Sequence, residues 1–363
     1  MSSEKKSGAE RHGTSFKECS DPLEIGRTDA DCRIKMENER ISGSQTGYAF
    51  SDTPQPAGAR TFQNPGRNRT GIPGVPAWRR IYGNSFPKDR SKREPRAEQT
   101  SLKLDYFHRP AVLAQSPQFY KQMMVGVFDR VMEVGPVFRA EKHNTKRHLN
   151  EYTGLDFEMG YIDDFTDIMA METGFLQHMV EILKKEYSTE LEILKVKLPE
   201  VEKIPAVTFT EAKRLASEKY GTQIKNTYDL EPEEEHLIGR YFKEEYGADF
   251  VFVTHYPSKK RPFYAMDDPT DPKVTLSFDL LFRGLEVTTG GQRIHSYTEL
   301  MEKIEKRGMD TDGMEQYLST FKHGMPPHGG LGIGLERMTM QLLEEENVRE
   351  VSLFPRDMSR LVP

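Results

Sequence analysis

The rhythm of polar and apolar positions changes near residue 105. Residues 1–100 are rich in Gly, Pro, Ser, Arg and Asn and sustain neither the 3.6-residue period of a helix nor the two-residue period of a strand. That stretch is expected to be poorly ordered. From Tyr106 onward, short apolar runs alternate with Gly and Pro punctuation, the pattern of strands flanking a helix. Ser116-Pro117 reads as a helix start and places Gln118 and Lys121 three apart on one face. Val131–Glu141 and Tyr152–Ile162 read as antiparallel strands around a charged loop. Thr166–Tyr187 predicts an amphipathic helix, because Ile168, Phe175, Leu176, Met179, Ile182 and Leu183 recur at helical spacing, with the methionines as core filler.

Two further helical patterns, around Thr210–Lys219 and Pro232–Tyr246, fall in residues 190–248 and read as an insertion beside the main sheet. The acidic run Glu231–Glu235 suits a helix N-terminus, where carboxylates favour the dipole. Asp249–His255 predicts a buried strand, followed by a polar loop, YPSKKRPFYAMDDPTDP, and two apolar strands joined at Arg283-Gly284. Thr298–Arg307 and Asp312–Phe321 read as surface helices ahead of a Gly-rich strand that feeds a last helix. The sum is an α+β fold, an antiparallel sheet flanked by helices, over residues 101–363.

A chain of 363 residues has room for one large or two ordinary domains, and 36% apolar content is low for full packing, which agrees with an unpacked basic region over 1–100. The net charge of -6 gives no global attraction to nucleic acid, so any such contact depends on local basic patches. Arg60–Arg96 is one, with Trp78, Tyr82 and Phe86 interleaved; it reads as a nucleic-acid arm or as a solvated tail without a partner. Cys19 and Cys32 make neither a disulfide framework nor a four-ligand metal site. No 18-residue apolar run and no signal-peptide core occur, so a cytoplasmic protein without a membrane partner is expected.

Candidate chemistry concentrates in three places. In FRAEKHNTKRHLNEYTGLDFE, residues 138–158, Arg139, Arg147 and His148 suit phosphate oxygens, Glu141 can accept from an adenine amino group, and Tyr152 offers a ring for stacking. A charged hairpin with a solvated turn is the alternative. Glu286, Thr289 and Arg293 form the second group. Odd separations along a strand point to opposite faces, and the Gly290-Gly291 pair is expected to bend the chain and bring all three to one cleft. The third is GGLGIGLERMTMQLL, residues 329–343, where glycines allow close approach of backbone to a nucleotide.

Together these stretches resemble motifs 2 and 3 of the class II aminoacyl-tRNA synthetases, in the detail of the archaeal-type aspartyl enzymes and their non-discriminating Asp/Asn form. The resemblance runs from about Asp105 to Pro363, including the closing NVREVSLFPRDMSRLVP; the family's anticodon-binding barrel and motif 1 are not recognisable in residues 1–100. It implies ATP-dependent activation of L-aspartate and transfer to tRNA, with Arg139, Glu286 and Arg337 as catalytic residues. Aspartate would meet Gln118, Lys121, Arg139, Asp156, Thr289 and Arg293. ATP would meet Arg139, Glu141, Arg147, His148, Leu149 and Tyr152, and, beyond them, Glu286 with Gly334, Leu335, Glu336 and Arg337. Mg²⁺ would sit at Glu286 and Thr289, where the family usually has Ser. The family also implies a homodimer, formed through motif 1. Lys121 and Arg293 as two cations facing the substrate side chain would select aspartate over asparagine. A paralogue making asparagine with ammonia and no tRNA, and a non-catalytic tRNA-binding or regulatory protein, stay open as alternatives.

Overall fold

The computed structural model describes residues 82–83, 89–91, 101–140, 145–223 and 226–362. The expectations for 1–81, for Trp78 and Phe86, and for Glu141 fall outside the described residues. Eleven strands are named in chain order: β1 (Tyr82–Gly83), β2 (Asp89–Ser91), β3 (Lys103–Tyr106), β4 (Arg109–Leu113), β5 (Arg130–Phe138), β6 (Glu151–Gly160), β7 (Ala206–Thr208), β8 (Phe250–Thr254), β9 (Ser277–Phe282), β10 (Leu285–Arg293) and β11 (His328–Gly334). Eight of them form one sheet in the order β1-β5-β6-β11-β10-β9-β8-β7, and β2-β4-β3 form a small second sheet. The large sheet is antiparallel except at its two edges, where β1 runs parallel to β5 and β7 parallel to β8. The expected α+β architecture, with an antiparallel sheet flanked by helices, is therefore present.

The helices are α1 (Gln118–Phe128), α2 (Thr166–Glu186), α3 (Ser188–Ile193), α4 (Phe209–Tyr220), α5 (Pro232–Tyr246), α6 (Tyr297–Lys306), α7 (Glu315–Lys322) and α8 (Leu335–Leu342). Strand alternation decides which of them each face of the sheet receives. Phe250, Phe252, Phe278 and Phe282 join the core built on α2 through Ile168, Leu176 and Val180. Val251, Val253 and Leu281 point the other way, into the core of α4 and α5. Strand β8 is buried at every position because both faces are covered, so it reads as an unbroken apolar run. The 190–248 segment is more than an insertion beside the sheet: it supplies edge strand β7 and shares a core with β8 and β9.

Local signals set the ends of the insertion helices. Thr208 Oγ1 accepts from the Glu211 N–H at the start of α4, and Gly221, at φ +67°, ends it. Pro232 opens α5, the Glu234 carboxylate accepts from the Glu231 N–H, and Gly247, at φ +68°, closes the helix. Helix α5 lies directly on the β9–β10 turn. A Cβ at Gly239 would come within 2.4 Å of the Gly284 backbone, so only glycine permits this approach. That closeness brings Glu235, one turn earlier, to the edge of the site described next.

Candidate active site

A cavity of about 430 Å³ is lined by residues of α1, β6, β10, β11 and the start of α8, and two charged clusters occupy its ends. Its floor follows from register. Tyr152, Gly154, Asp156 and Glu158 alternate onto one face of β6, and Gly330, Gly332 and Gly334 oppose Glu158, Asp156 and Gly154 from β11. A Cβ at Gly330 would lie 2.1 Å from a Glu158 carboxylate oxygen, and one at Gly332 3.1 Å from Asp156. The Gly-rich strand was expected to make room for a nucleotide; at these two positions it makes room for the protein's own carboxylates.

Into that space come two buried cations. Helix α1 presents Gln118 and Lys121 to the cavity, as their spacing predicts. Lys121 is 1% exposed; its Nζ lies 2.9 Å from Asp156 Oδ1 and 3.3 Å from Glu158 Oε2, and donates to the Leu331 carbonyl at 2.8 Å. Arg293 meets Glu158 from the opposite side, Nε to Oε1 at 2.8 Å, and donates to the Gly330 carbonyl at 2.9 Å. Burial opposes the Glu158 charge, but Arg293 and Lys121 together outweigh it and hold the carboxyl below its usual range. Lys121 and Arg293 are not the bare pair of cations that the resemblance implies. Two carboxylates balance them, and Glu158 lies in the quoted motif without having been given a role.

Behind this quartet, Gln122 and His328 are fully buried. Gln122 Oε1 accepts from Gln118 Nε2 at 3.1 Å and from the Tyr317 hydroxyl at 3.3 Å, while its Nε2 lies 3.2 Å from His328 Nε2. His328 Nδ1 is 2.9 Å from the Pro326 carbonyl. A carbonyl can only accept, so Nδ1 carries the proton and Nε2 accepts from the amide. Burial lowers the His328 pKa from 6.5 to about 4. Between these values the unfolded chain takes up a proton that the folded chain refuses, so stability is full above pH 6.5 and is lost as pH falls toward 4. The expected loss is about 3 kcal/mol. Denaturant titrations at stepped pH should show His328→Gln removing this part of the slope; an unchanged slope would exclude a buried neutral imidazole.

At the other end of the cavity, Glu286, Thr289 and Arg337 meet. Glu286 and Thr289 share a face because the register slips between Glu286 and Thr288: Glu286 pairs with Leu281 and Thr289 with Asp279, two residues apart on β9. Strand β10 then runs unbroken through Gly290-Gly291 to Arg293. The three residues thus converge through a β-bulge, not through the expected glycine bend. The glycines serve packing instead, since a Cβ at Gly290 would lie 2.5 Å from the Phe278 ring.

Thr289 Oγ1 donates to Glu286 Oε1 at 3.2 Å; Arg337 Nη1 donates to the Glu286 carbonyl at 3.0 Å and lies 3.6 Å from Glu286 Oε1. A third of the Glu286 side chain still faces the cavity. Burial works against its charge, yet Arg337, Arg261, Arg147 and Arg139 hold its pKa below the usual value. Arg139 lies 5.4 Å from the centre of the Tyr152 ring, and burial raises the Tyr152 pKa.

Arg147, His148 and Leu149 line the same cavity. Gly334 and Glu336 do too, although both Glu336 oxygens accept from the Thr153 N–H, which ties α8 to β6. Leu335 does not belong to the lining. It is 37% exposed at the start of α8, because consecutive positions of a helix point about 100° apart. At the C-terminus, Phe354 is 65% exposed and Arg356 pairs with Glu151.

Arg261, which lines the cavity, and Asp279, its buried partner, have no role in the expectations drawn from the chain. Arg261, in the loop after β8, lies over the Tyr256 ring at 3.9 Å, with Nη2 2.8 Å from Asp279 Oδ1. Burial raises the Asp279 pKa, the Glu286 charge adds to the shift, and Arg261 opposes it. The legible signal was an acid inside the apolar buried strand SFDLLF, which needs a partner. Among the described residues no group of three His, Cys, Asp or Glu side chains is placed to hold a metal by itself. Glu286, Thr289 and Asp279 do supply the oxygen donors that a hard cation takes, since Thr289 pairs directly with Asp279 across β9 and β10 and shares its face with Glu286.

A carboxylate-balanced pair of buried cations at one end and a cluster of arginines at the other, in one cavity over an antiparallel sheet, suit a class II synthetase type of site. The chain matches the family described as tRNA synthetases class II (D, K and N) over residues 93–358, and it belongs to that family. It is 50% identical over 266 residues to an aspartate–tRNA(Asp/Asn) ligase of Deinococcus radiodurans, a match covering 72% of this chain and 61% of the relative. It is 44% identical over 262 residues to an aspartate–tRNA(Asp) ligase of Pyrococcus abyssi, covering 72% and 60%. The asparaginyl-tRNA synthetase of Pyrococcus horikoshii complexed with asparaginyl-adenylate superposes with a TM-score of 0.71 at 30% identity, covering 78% of this chain and 65% of that one. The chain therefore spans about three-fifths of the length of these curated relatives.

Proposed function

We propose that residues 101–363 are a catalytic domain, with 190–248 as its insertion, that activates L-aspartate with ATP and transfers it to the 3′ end of tRNA(Asp), and of tRNA(Asn) where anticodon contacts allow. In the first step an aspartate α-carboxylate oxygen attacks the α-phosphorus of ATP, and the bond to the β-phosphate breaks to give aspartyl-adenylate and pyrophosphate. In the second, a terminal ribose hydroxyl attacks the acyl carbon, and AMP leaves. No protein nucleophile is needed, so this chain contributes position and charge.

The observation that carries the reading is the Lys121–Asp156–Glu158–Arg293 quartet at one end of the cavity with Arg139, Arg147 and Arg337 at the other. Aspartate is a zwitterion with an extra carboxylate. Its ammonium takes over Asp156 while its side-chain carboxylate takes Lys121 and Arg293, so an existing ion pair opens onto the substrate and buries no bare charge. Gln118 orients the substrate. Arg139 neutralises the α-phosphate, and Arg147, His148 and Arg337 hold the outer phosphates. Tyr152 and Glu141 place the adenine between Leu149 and the α8 N-terminus at Gly334. Glu286 and Thr289, with Asp279, would hold Mg²⁺, which would supply positive charge to offset that of the phosphates. A homodimer and a cytosolic location, where ATP and tRNA are found, complete the proposal.

ATP–pyrophosphate exchange with aspartate, with asparagine and with no amino acid is the direct test. Exchange with aspartate alone is expected; exchange with asparagine at an equal rate, or none with aspartate, would overturn the reading. Asparagine formed from aspartate and ammonia without tRNA would favour the paralogue instead.

A further inference from the structure

Helix α5 ends its first turn on Glu235, a carboxylate only 4% exposed whose oxygens are divided between two partners in the site. Oε1 accepts from Arg147 Nη2 at 2.8 Å, and Oε2 accepts from the Glu286 backbone N–H at 3.1 Å. Arg337 links the same partners from the other side, Nε to the Arg147 carbonyl at 3.3 Å and Nη1 to the Glu286 carbonyl at 3.0 Å. Glu235, Arg147, Arg337 and Glu286 thus close a ring of hydrogen bonds joining four segments of the chain. Arg147 Nε, buried in the same region, has no hydrogen-bond partner among the described residues, so this guanidinium keeps a donor in reserve. The ring needs α5 pressed onto the β9–β10 turn, and the Gly239–Gly284 contact provides that approach.

We propose that Glu235 is a positioning residue for the triphosphate end of the site. It holds the Arg147 fork in one orientation and fixes the backbone from which the Glu286 carboxylate projects, so the insertion takes part in nucleotide binding through its first turn. An arginine held by one charge-assisted bond loses less side-chain freedom when it meets a phosphate than one that must be ordered on arrival. Glu235 itself touches no phosphate; it acts through Arg147. The inference rests on the ATP reading of the cavity and is independent of which amino acid is activated.

The test is calorimetric titration of ATP with Mg²⁺ into the full chain, with adenosine as the ligand lacking phosphates. Glu235→Ala is expected to weaken ATP about tenfold, the effect of losing one hydrogen bond to a charged group. Adenosine affinity should stay within about twofold by the same reasoning, since no contact to the base changes. The double variant with Arg147→Ala should lose less than the sum of the two single losses, because Glu235 acts through Arg147 as well as through the Glu286 backbone. A Glu235→Gln variant, which keeps the shape and one acceptor, reports on the charge if the alanine variant misfolds. Unchanged ATP affinity in both Glu235 variants, equal losses for ATP and adenosine, or fully additive losses in the double variant would each overturn the proposal. ATP binding without aspartate-dependent exchange would sink the aspartate reading alone, and no ATP binding by the parent chain would sink both.

Discussion

Lys121→Met is expected to reduce aspartate-dependent pyrophosphate exchange by a factor of about 10² to 10³, with the melting temperature lowered as well. Lys121 is buried and serves two carboxylates and a backbone carbonyl at once. A methionine of similar length fills the volume but leaves Asp156 and Glu158 with Arg293 as the one remaining cation of the quartet. Removing one partner of a buried ion pair costs about 3–5 kcal/mol, because the charge left behind has lost both water and its mate. Part of that cost appears in folding and part in binding a substrate that brings a further carboxylate. The two are separated by measuring exchange at saturating aspartate alongside a denaturant titration. Exchange at the parental rate would remove Lys121 from the site, and a large loss of stability with parental exchange would make it a structural residue.

Under the proposed function, the same quartet changes how aspartate would be told from asparagine. With bare cations, a neutral amide would leave two uncompensated charges and be refused outright. With Asp156 and Glu158 already in place, an amide leaves Lys121 where it is and forgoes one pair exchange, a smaller penalty than an orphaned buried charge. Selectivity for aspartate then depends on how readily the Lys121–Asp156 pair opens.

Much of this was legible in the chain. Periodicity located α2, α4 and α5 to within a residue or two, because each buries one stripe and is bounded by strong local signals such as Gly221, Pro232 and Gly247. Apolar runs located β8, β9 and β10, because these strands are buried at nearly every position. The convergence of Glu286 with Thr289 was anticipated from residue type, but its cause was not, since a bulge is a register event between two strands and leaves no mark on either alone. Glu235 was read as a dipole-favouring acid at a helix start, which its position permits. Its reach to Arg147, 88 residues away in sequence, depends on how α5 packs. Glu172 escaped for a related reason: on α2 it occupies a core-facing position, fully buried, where burial raises its pKa to about 8. A period can place such a residue on the inner face, but only its neighbours decide its charge.

Arg337→Ala is expected to have the largest effect of any single change, lowering exchange by about a thousandfold while leaving the fold intact. Arg337 has one face on Glu286 and the other beside Arg147, and it is the guanidinium that touches both. Charge develops on the phosphate oxygens as the bond between the α- and β-phosphates breaks. A preorganised fork is worth most at that moment, so the loss should fall on kcat more than on the KM for aspartate. Arg337→Lys should recover little, since a single ammonium cannot hold the Glu286 carbonyl and the Arg147 carbonyl while offering a bidentate edge to phosphate. Stability should drop only modestly, because the side chain is a fifth exposed and water can replace part of its contacts. Rates measured over a range of ATP and aspartate concentrations decide the matter. A lysine variant within tenfold of the parent would mean that Arg337 acts as a point charge, and an alanine variant that raises only the KM for ATP would mean that it binds the ground state and the transition state equally.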